Sequence, residues 1–174
     1  MNALRNQNLF SVALGLWLLL STSGILNAQT TFSNFGISFS LPMKWVVKTQ
    51  NENEQFSFIN IRRKGLGQSG MISVRIEKDS LDFPWNIEYW KKSIELRMMG
   101  GAQISDELIG SFGKYPAKQF TYKTSLLSVS HSGRCVFIVF GGKKVAVFYQ
   151  HADEDFEQYQ EAYEQFEAQF QIGN

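Results

Sequence analysis

Arg134-Cys135-Val136-Phe137-Ile138-Val139-Phe140-Gly141-Gly142-Lys143-Lys144-Val145-Ala146-Val147-Phe148-Tyr149-Gln150 is the stretch that decides the fold. Two β-branched and aromatic runs flank Gly141-Gly142. A Gly-Gly pair supplies the positive φ angles that a two-residue hairpin turn requires. A hairpin makes neighbouring strands antiparallel. The same logic extends toward the amino end, where Gly113-Lys114 is a tight turn between strands at Glu107 to Phe112 and Tyr115 to Lys123. Earlier still, Phe56 to Arg62 and Met71 to Lys78 are strands, with Ile72, Val74 and Ile76 on one face of the latter. Phe35, Ile37, Phe39 and Leu41 recur at period two, the mark of a half-buried strand. Leu41-Pro42 ends that strand, and Trp45-Val46-Val47 resumes extended structure.

Two helices interrupt the strands. The first opens at Asp82 to Pro84, with Asp82 as a cap and Pro84 tolerated in the first turn. Its stripe is Ile87, Trp90, Ile94 and Met98, and Gly100-Gly101 stops it. The second is capped by Asp153, with Glu154, Asp155 and Glu157 near the positive end of the helix dipole. Phe156, Tyr159, Tyr163, Phe166 and Phe170 form an aromatic seam at helical spacing, opposite Gln158, Gln160, Glu161 and Gln165. The seam predicts a helix docked across its own sheet. Runs of hairpins with interspersed helices mean an α+β domain with a largely antiparallel sheet of about six to seven strands.

The amino end is a targeting segment and is set aside before folding is considered. Arg5 gives a basic start, Leu9 to Leu20 is an apolar run, and Ser21-Thr22-Ser23-Gly24 precedes Asn27-Ala28. That layout is a secretory signal peptide over 1–28, with cleavage before Gln29. The run is too short for a spanning helix, which needs about 20 residues. After cleavage no integral membrane segment remains. Residues 29–174 are then one domain, 146 of the 174 residues, and a periplasmic or secreted location follows. A chain of that size buries a substantial core.

Composition excludes several classes. The full chain has 17 basic and 16 acidic residues, and Arg5 is the only charge in the leader, so the mature chain is balanced. A nucleic-acid binder normally carries a marked positive excess. A single cysteine, Cys135, cannot close an intrachain disulfide. Fifteen Phe, four Trp and six Tyr argue against disorder.

Gly36-Ile37-Ser38-Phe39-Ser40-Leu41-Pro42-Met43-Lys44-Trp45 resembles the opening strand, Leu-Pro and Trp of the PsbP-like superfamily. Gly113-Lys114-Tyr115-Pro116-Ala117-Lys118 resembles its mid-chain glycine and Pro-Ala. The late hairpin and the helix ending Phe166-Glu167-Ala168-Gln169-Phe170 are similar to its closing pattern. The resemblance spans nearly the whole mature chain. It implies an α/β/α sandwich with helices on both faces of the sheet. The fold is shared with a Ran-binding import factor, DcrB-like envelope proteins and secretion effector chaperones. It also implies non-enzymatic, chaperone-like accessory work. No partner-contact motif of the superfamily is matched, so no functional residue carries over.

Candidate chemistry is sparse. Gly65-Leu66-Gly67-Gln68-Ser69-Gly70 fits G-x-G-x-x-G, but a strand follows where the dinucleotide motif needs a helix amino terminus. It reads as a hairpin loop, and no cofactor is expected. His151, Asp153, Glu154 and Asp155 are the only cluster of metal-ligating types, and carboxylates at a helix start are ordinarily caps. No metal site is expected. Cys135 lies in an apolar strand, where a thiol stays protonated. His131 lies between Ser130 and Ser132, but neighbours in an extended chain point to opposite faces. No catalytic residue is assigned, and the chain is expected not to be an enzyme.

The remaining candidates are partner-binding cations and one Trp. Arg62, Arg63 and Lys64 border the glycine loop, Lys143 and Lys144 border the late hairpin, and Trp85 flanks the first helix. Such patches suit another envelope protein that is acidic where it meets them, with the chain itself a monomer. The function expected is an exported, non-catalytic accessory protein of the bacterial cell envelope. The alternatives are a carrier of a small apolar ligand held between sheet and helix, or an envelope hydrolase with an unrecognised carboxylate pair.

Overall fold

Eight strands of the chain join in one antiparallel sheet, and three short ones close a second. The computed structural model describes residues 30–65, 69–78, 87–98, 101–126 and 128–173. The leader and Trp85 lie outside the described residues, as does the start of the first helix with Asp82. β1 (Thr31–Asn34) and β2 (Ile37–Ser40) make a hairpin, followed by β3 (Trp45–Glu52), β4 (Phe56–Arg63) and β5 (Met71–Glu77). α1 is Ile87–Arg97. Then come β6 (Gln103–Ile104), β7 (Leu108–Phe112), β8 (Tyr115–Leu126), β9 (Val129–Phe140) and β10 (Lys143–Ala152). α2 (Phe156–Gln169) and β11 (Gln171–Ile172) complete the chain. The large sheet runs β3-β4-β5-β10-β9-β8-β6, with β7 also on β8; the small one runs β1-β2-β11.

The turns are placed where the glycines put them. Phe140 pairs with Lys143, and Gly141 and Gly142 between them have φ of +56° and +78°. Both central residues of that turn need positive φ, which glycine supplies without strain. The register of the whole β9–β10 ladder follows from it, through Ser132 opposite His151 to His131 opposite Ala152.

Alternation along the strands sorts the core. Val136 and Ile138 of β9 cluster with Val145, Val147 and Tyr149 of β10, and with Tyr159, Ala162 and Phe166 of α2. Their neighbours Cys135 and Phe137 cluster instead with Ala146 and with Ile87, Trp90 and Ile94 of α1. Phe39 of the small sheet stacks into the α2 cluster, 4.8 Å from Phe166 and 6.1 Å from Phe170 between ring centroids. Burying rings of this size is the main source of stability in a domain like this.

The structure departs from the sequence reading at several points. Phe35, expected in a strand with Ile37 and Phe39, sits in the β1–β2 turn with φ of +54°. The large sheet has eight strands rather than six or seven; β6 is two residues long, too short for any periodicity. The small sheet was not foreseen, because β11 reaches across the fold to pair with Ile37 and Ser38. Asp153 does not cap α2. It opens a single 3₁₀ turn, Asp153–Asp155, and Asp155 takes the cap position without a side-chain cap bond. Finally, Phe156 is not part of the buried seam. It is 45% exposed, because a cleft opens between the first turn of α2 and β10.

Candidate functional site

A cleft of about 650 Å³ lies between α2, from Phe156 to Glu167, and the ends of β8, β9 and β10 far from the Gly141-Gly142 turn. The floor is aromatic. Tyr149 and His151 rise from β10, and Phe156 and Tyr163 come down from α2. His151 lies 5.2 Å from Phe156 and 5.7 Å from Tyr163, and Tyr149 lies 4.6 Å from Tyr163, between ring centroids. Thr121, Lys123, Ser132 and Arg134 form the sheet side, and Asp153, Gln160, Glu164 and Glu167 the helix side.

Polar groups in the cleft fall into two sets. One set is satisfied. Arg134 donates from Nε to Gln119 Oε1 at 2.7 Å and from Nη1 to Glu167 Oε2 at 3.0 Å. Glu167 also accepts from the Gly113 amide at 3.2 Å, which ties the helix to the β7–β8 turn. Tyr163 donates to the carbonyl of Gln150 at 3.0 Å. The other set is not. Among the described residues Tyr149 Oη and His151 Nδ1 are buried with no hydrogen-bond partner. A buried polar atom left unpaired costs about 1–3 kcal/mol; these two share one cleft, whereas Asn60 Oδ1, Trp90 Nε1 and Thr124 Oγ1 are unpaired away from its lining.

Burial shapes the titration of these groups. Loss of solvent holds the His151 imidazole below its ordinary pKa against the pull of Asp153 and Asp155. Burial pushes the phenols of Tyr149 and Tyr163 well up. At neutral pH the floor is therefore uncharged. Cys135, on the other side of the sheet, is buried and its thiol is pushed well up by desolvation.

The partner-binding residues expected from sequence have separate contacts where they are described. Arg62 is exposed and reaches Met71 Sδ at 3.5 Å. Arg63 turns the other way, donating to Gln158 Oε1 at 3.0 Å and lying 5.9 Å from the centre of the Tyr159 ring. Lys64 borders a separate depression with Lys44 and Trp45. Lys143 is half-buried and donates to the Gly173 carbonyl at 2.5 Å, fastening the carboxyl end. Lys144 is half-buried on β10. Trp85 lies outside the described residues. Gly70 is packed rather than pliable: a Cβ there would meet the Tyr159 ring at 2.5–2.8 Å. A strand, β5, follows the glycine loop, as the reading against nucleotide binding required.

Other chemistry was also located. His131 contacts the carbonyl of Val129 at 3.0 Å. Among the described residues no three His, Cys, Asp or Glu side chains come together to hold a metal. Asp155 instead accepts from Ser69 Oγ at 2.8 Å, pinning the end of the glycine loop to the start of α2.

No protein-family model matches the chain, and no curated protein sequence does either. Solved structures do. Cyanobacterial PsbP from Synechocystis sp. PCC 6803 superposes with a TM-score of 0.60, at 13% identity, over 86% of this chain and 96% of that one. This chain has a PsbP-like fold. The same fold relates it to LpqN of Mycobacterium tuberculosis, a protein involved in cell envelope biogenesis, with a TM-score of 0.52 at 14% identity over 86% and 88% of the two chains. A Bacteroides thetaiotaomicron protein matches with a TM-score of 0.53 at 11% identity, over 84% of this chain and 49% of that one. Identities this low establish the PsbP-like fold and leave the work of the cleft to be argued from its own residues. No helix among the described residues is long and apolar enough to cross a membrane.

Proposed function

We propose that this protein is an exported, non-catalytic accessory protein of the bacterial cell envelope, and that it works by binding through the cleft between α2 and β8–β10. One observation carries the reading. The cleft is open, aromatic-floored and contains two buried polar atoms without partners, the mix of apolar walls and few polar groups that binding sites show. The envelope assignment draws support from the leader's layout and from the PsbP-like neighbours, among them LpqN. For the architecture, we read the α1 and α2 clusters as opposite faces of the sheet, hence a sandwich. Alternation of Cys135 and Phe137 with Val136 and Ile138 supports that.

A photo-crosslinking amino acid at Phe156 tests the site in exporting cells, with the same group at Leu96 as control. Leu96 is 71% exposed on α1. The reading expects adducts from position 156 and few from 96. Equal yields, or adducts only from 96, overturn it. Mass analysis of the exported protein tests the leader: a chain beginning at Gln29 is expected, and a full-length membrane-bound species contradicts export.

A hydrolase is the second reading, and one observation favours it. Ser132 and His151 are opposed on adjacent strands, and both line the cleft beside Asp153. Nucleophilic catalysis needs a hydrogen-bonded base held by a third group. Among the described residues His151 Nδ1 has no such partner. Labelling of Ser132 by a fluorophosphonate would convert this reading into the leading one.

A further inference from the structure

We propose that the cleft takes an organic monocation, an ammonium group carried on an apolar or aromatic body. This rests on the reading of the cleft as the binding site and adds the chemical class of its ligand. The argument is one of charge and ring faces.

Among the described residues five charged side chains line the cleft: Lys123, Arg134, Asp153, Glu164 and Glu167. Arg134 and Glu167 are joined in an ion pair at 3.0 Å, and the second side of the guanidinium is spent on Gln119. That pair presents little net charge to a ligand. Lys123, Asp153 and Glu164 remain, all exposed, which is one negative charge in excess. The positive end of the α2 dipole would favour an anion here. Asp153, Glu154 and Asp155 in the preceding 3₁₀ turn and Glu157 in the first turn offset it.

The rings of His151, Phe156 and Tyr163 line the same cleft, with His151 5.2 Å from Phe156 and 5.7 Å from Tyr163. The faces of Phe and Tyr rings attract a cation within about 6 Å, more strongly the drier the site. An anion meets the opposite field from both the carboxylates and the rings. Tyr149 Oη and His151 Nδ1 lack partners in the free protein, and both can accept a hydrogen bond. An ammonium brings donors and no acceptor, so the ligand's polar end complements the charge of the rim and matches in kind the acceptors buried in the floor. Phe156, exposed at the rim where the seam should have buried it, supplies the surface for an apolar body.

Three small isosteres test this on the isolated protein by amide-resolved NMR titration: 2-phenylethylammonium, 2-phenylethanol and phenylacetate. The cation is expected to shift amides of 121–123, 131–134, 149–153 and 156–164 with a dissociation constant on the order of millimolar, as suits so few atoms. Phenylacetate is expected to bind at least about tenfold more weakly, with the alcohol between them. Selectivity for the cation should fall with added salt, since the rim carboxylates are exposed. The double variant Asp153→Asn, Glu164→Gln should bring cation and alcohol within about twofold, and Lys123→Gln should widen the gap. Each of these residues is exposed, so the amide spectrum away from the cleft should be unchanged.

Equal binding of all three probes at the same amides overturns the monocation inference and leaves the cleft as a binding site. Tighter binding of phenylacetate does the same. Absence of any shift in the cleft, while position 156 still forms adducts in cells, refutes the ligand class alone. Absence of both refutes the binding site as well.

Discussion

Phe166 holds α2 on the sheet, and its removal should be the most costly single change in that helix. It is fully buried. Its ring centroid lies 4.8 Å from Phe39, 5.6 Å from Phe170, 6.3 Å from Tyr149 and 6.4 Å from Phe112. Large-to-small changes at such a place cost about 3–5 kcal/mol, the spread depending on how far the site collapses. These four neighbours belong to β2, the segment after α2, β10 and β7, which are separately anchored in two sheets. No one of them can move in without leaving its own place, so Phe166→Ala should fall in the upper half, about 4–5 kcal/mol. In urea, with a slope of about 2 kcal/mol per molar, the midpoint should drop by about 2 M at unchanged slope. Glu161→Ala is the control: it is exposed and accepts one bond from Gln165 at 2.9 Å, a pair of about 0.2–0.5 kcal/mol. Phe166→Ala losing less than about 1.5 kcal/mol, or no more than Glu161→Ala, would refute the packing argument.

Three other outcomes follow from the structure. Gly133→Ala places a Cβ 2.2–2.5 Å from the Tyr122 ring, so calorimetry should show a loss of about 1–3 kcal/mol, with Gly141→Ala clashing with nothing although strained in φ. His151 is held neutral below its ordinary pKa by burial, with Asp153, Asp155 and His131 as the facing charges; the unfolded chain then binds more protons, so stability should fall as pH drops below about 6.5 and level off beneath the folded pKa. His151→Asn should flatten that limb in denaturation curves, and an unchanged slope contradicts the assignment. Reversing Arg62, Arg63 and Lys64 to Glu should cost about 1 kcal/mol rather than nothing, because Arg63 bonds Gln158 and lies over Tyr159; restoring Arg63 alone in that variant should recover most of it.

What could be read from the chain was whatever had a local signature. Gly141-Gly142 announced its hairpin because only glycine adopts two successive positive φ angles at no cost. Tyr159, Tyr163 and Phe166 announced the docked face of α2 through their spacing. Phe156 shared the spacing but not the burial, because periodicity says which way a residue faces and not how closely the helix sits on the sheet there. β11 had no signature at all: two residues whose pairing with Ser38 and Ile37 exists only after the chain has folded. The cleft was missed because β8, β9, β10 and α2 each supply part of it. One signal for it was available. Counting outward from Gly141-Gly142 puts Arg134 opposite Tyr149 and Ser132 opposite His151, which places four of the lining residues side by side.

Hydrogen–deuterium exchange of the isolated protein, with and without a soluble extract of the cell envelope, locates the surface that binding covers. The account predicts slowed exchange in 119–123, 131–134 and 150–164, around the mouth of the cleft, and loss of that protection in Phe156→Ala. Protection confined to 62–71, with the cleft exchanging as in the free protein, would contradict it.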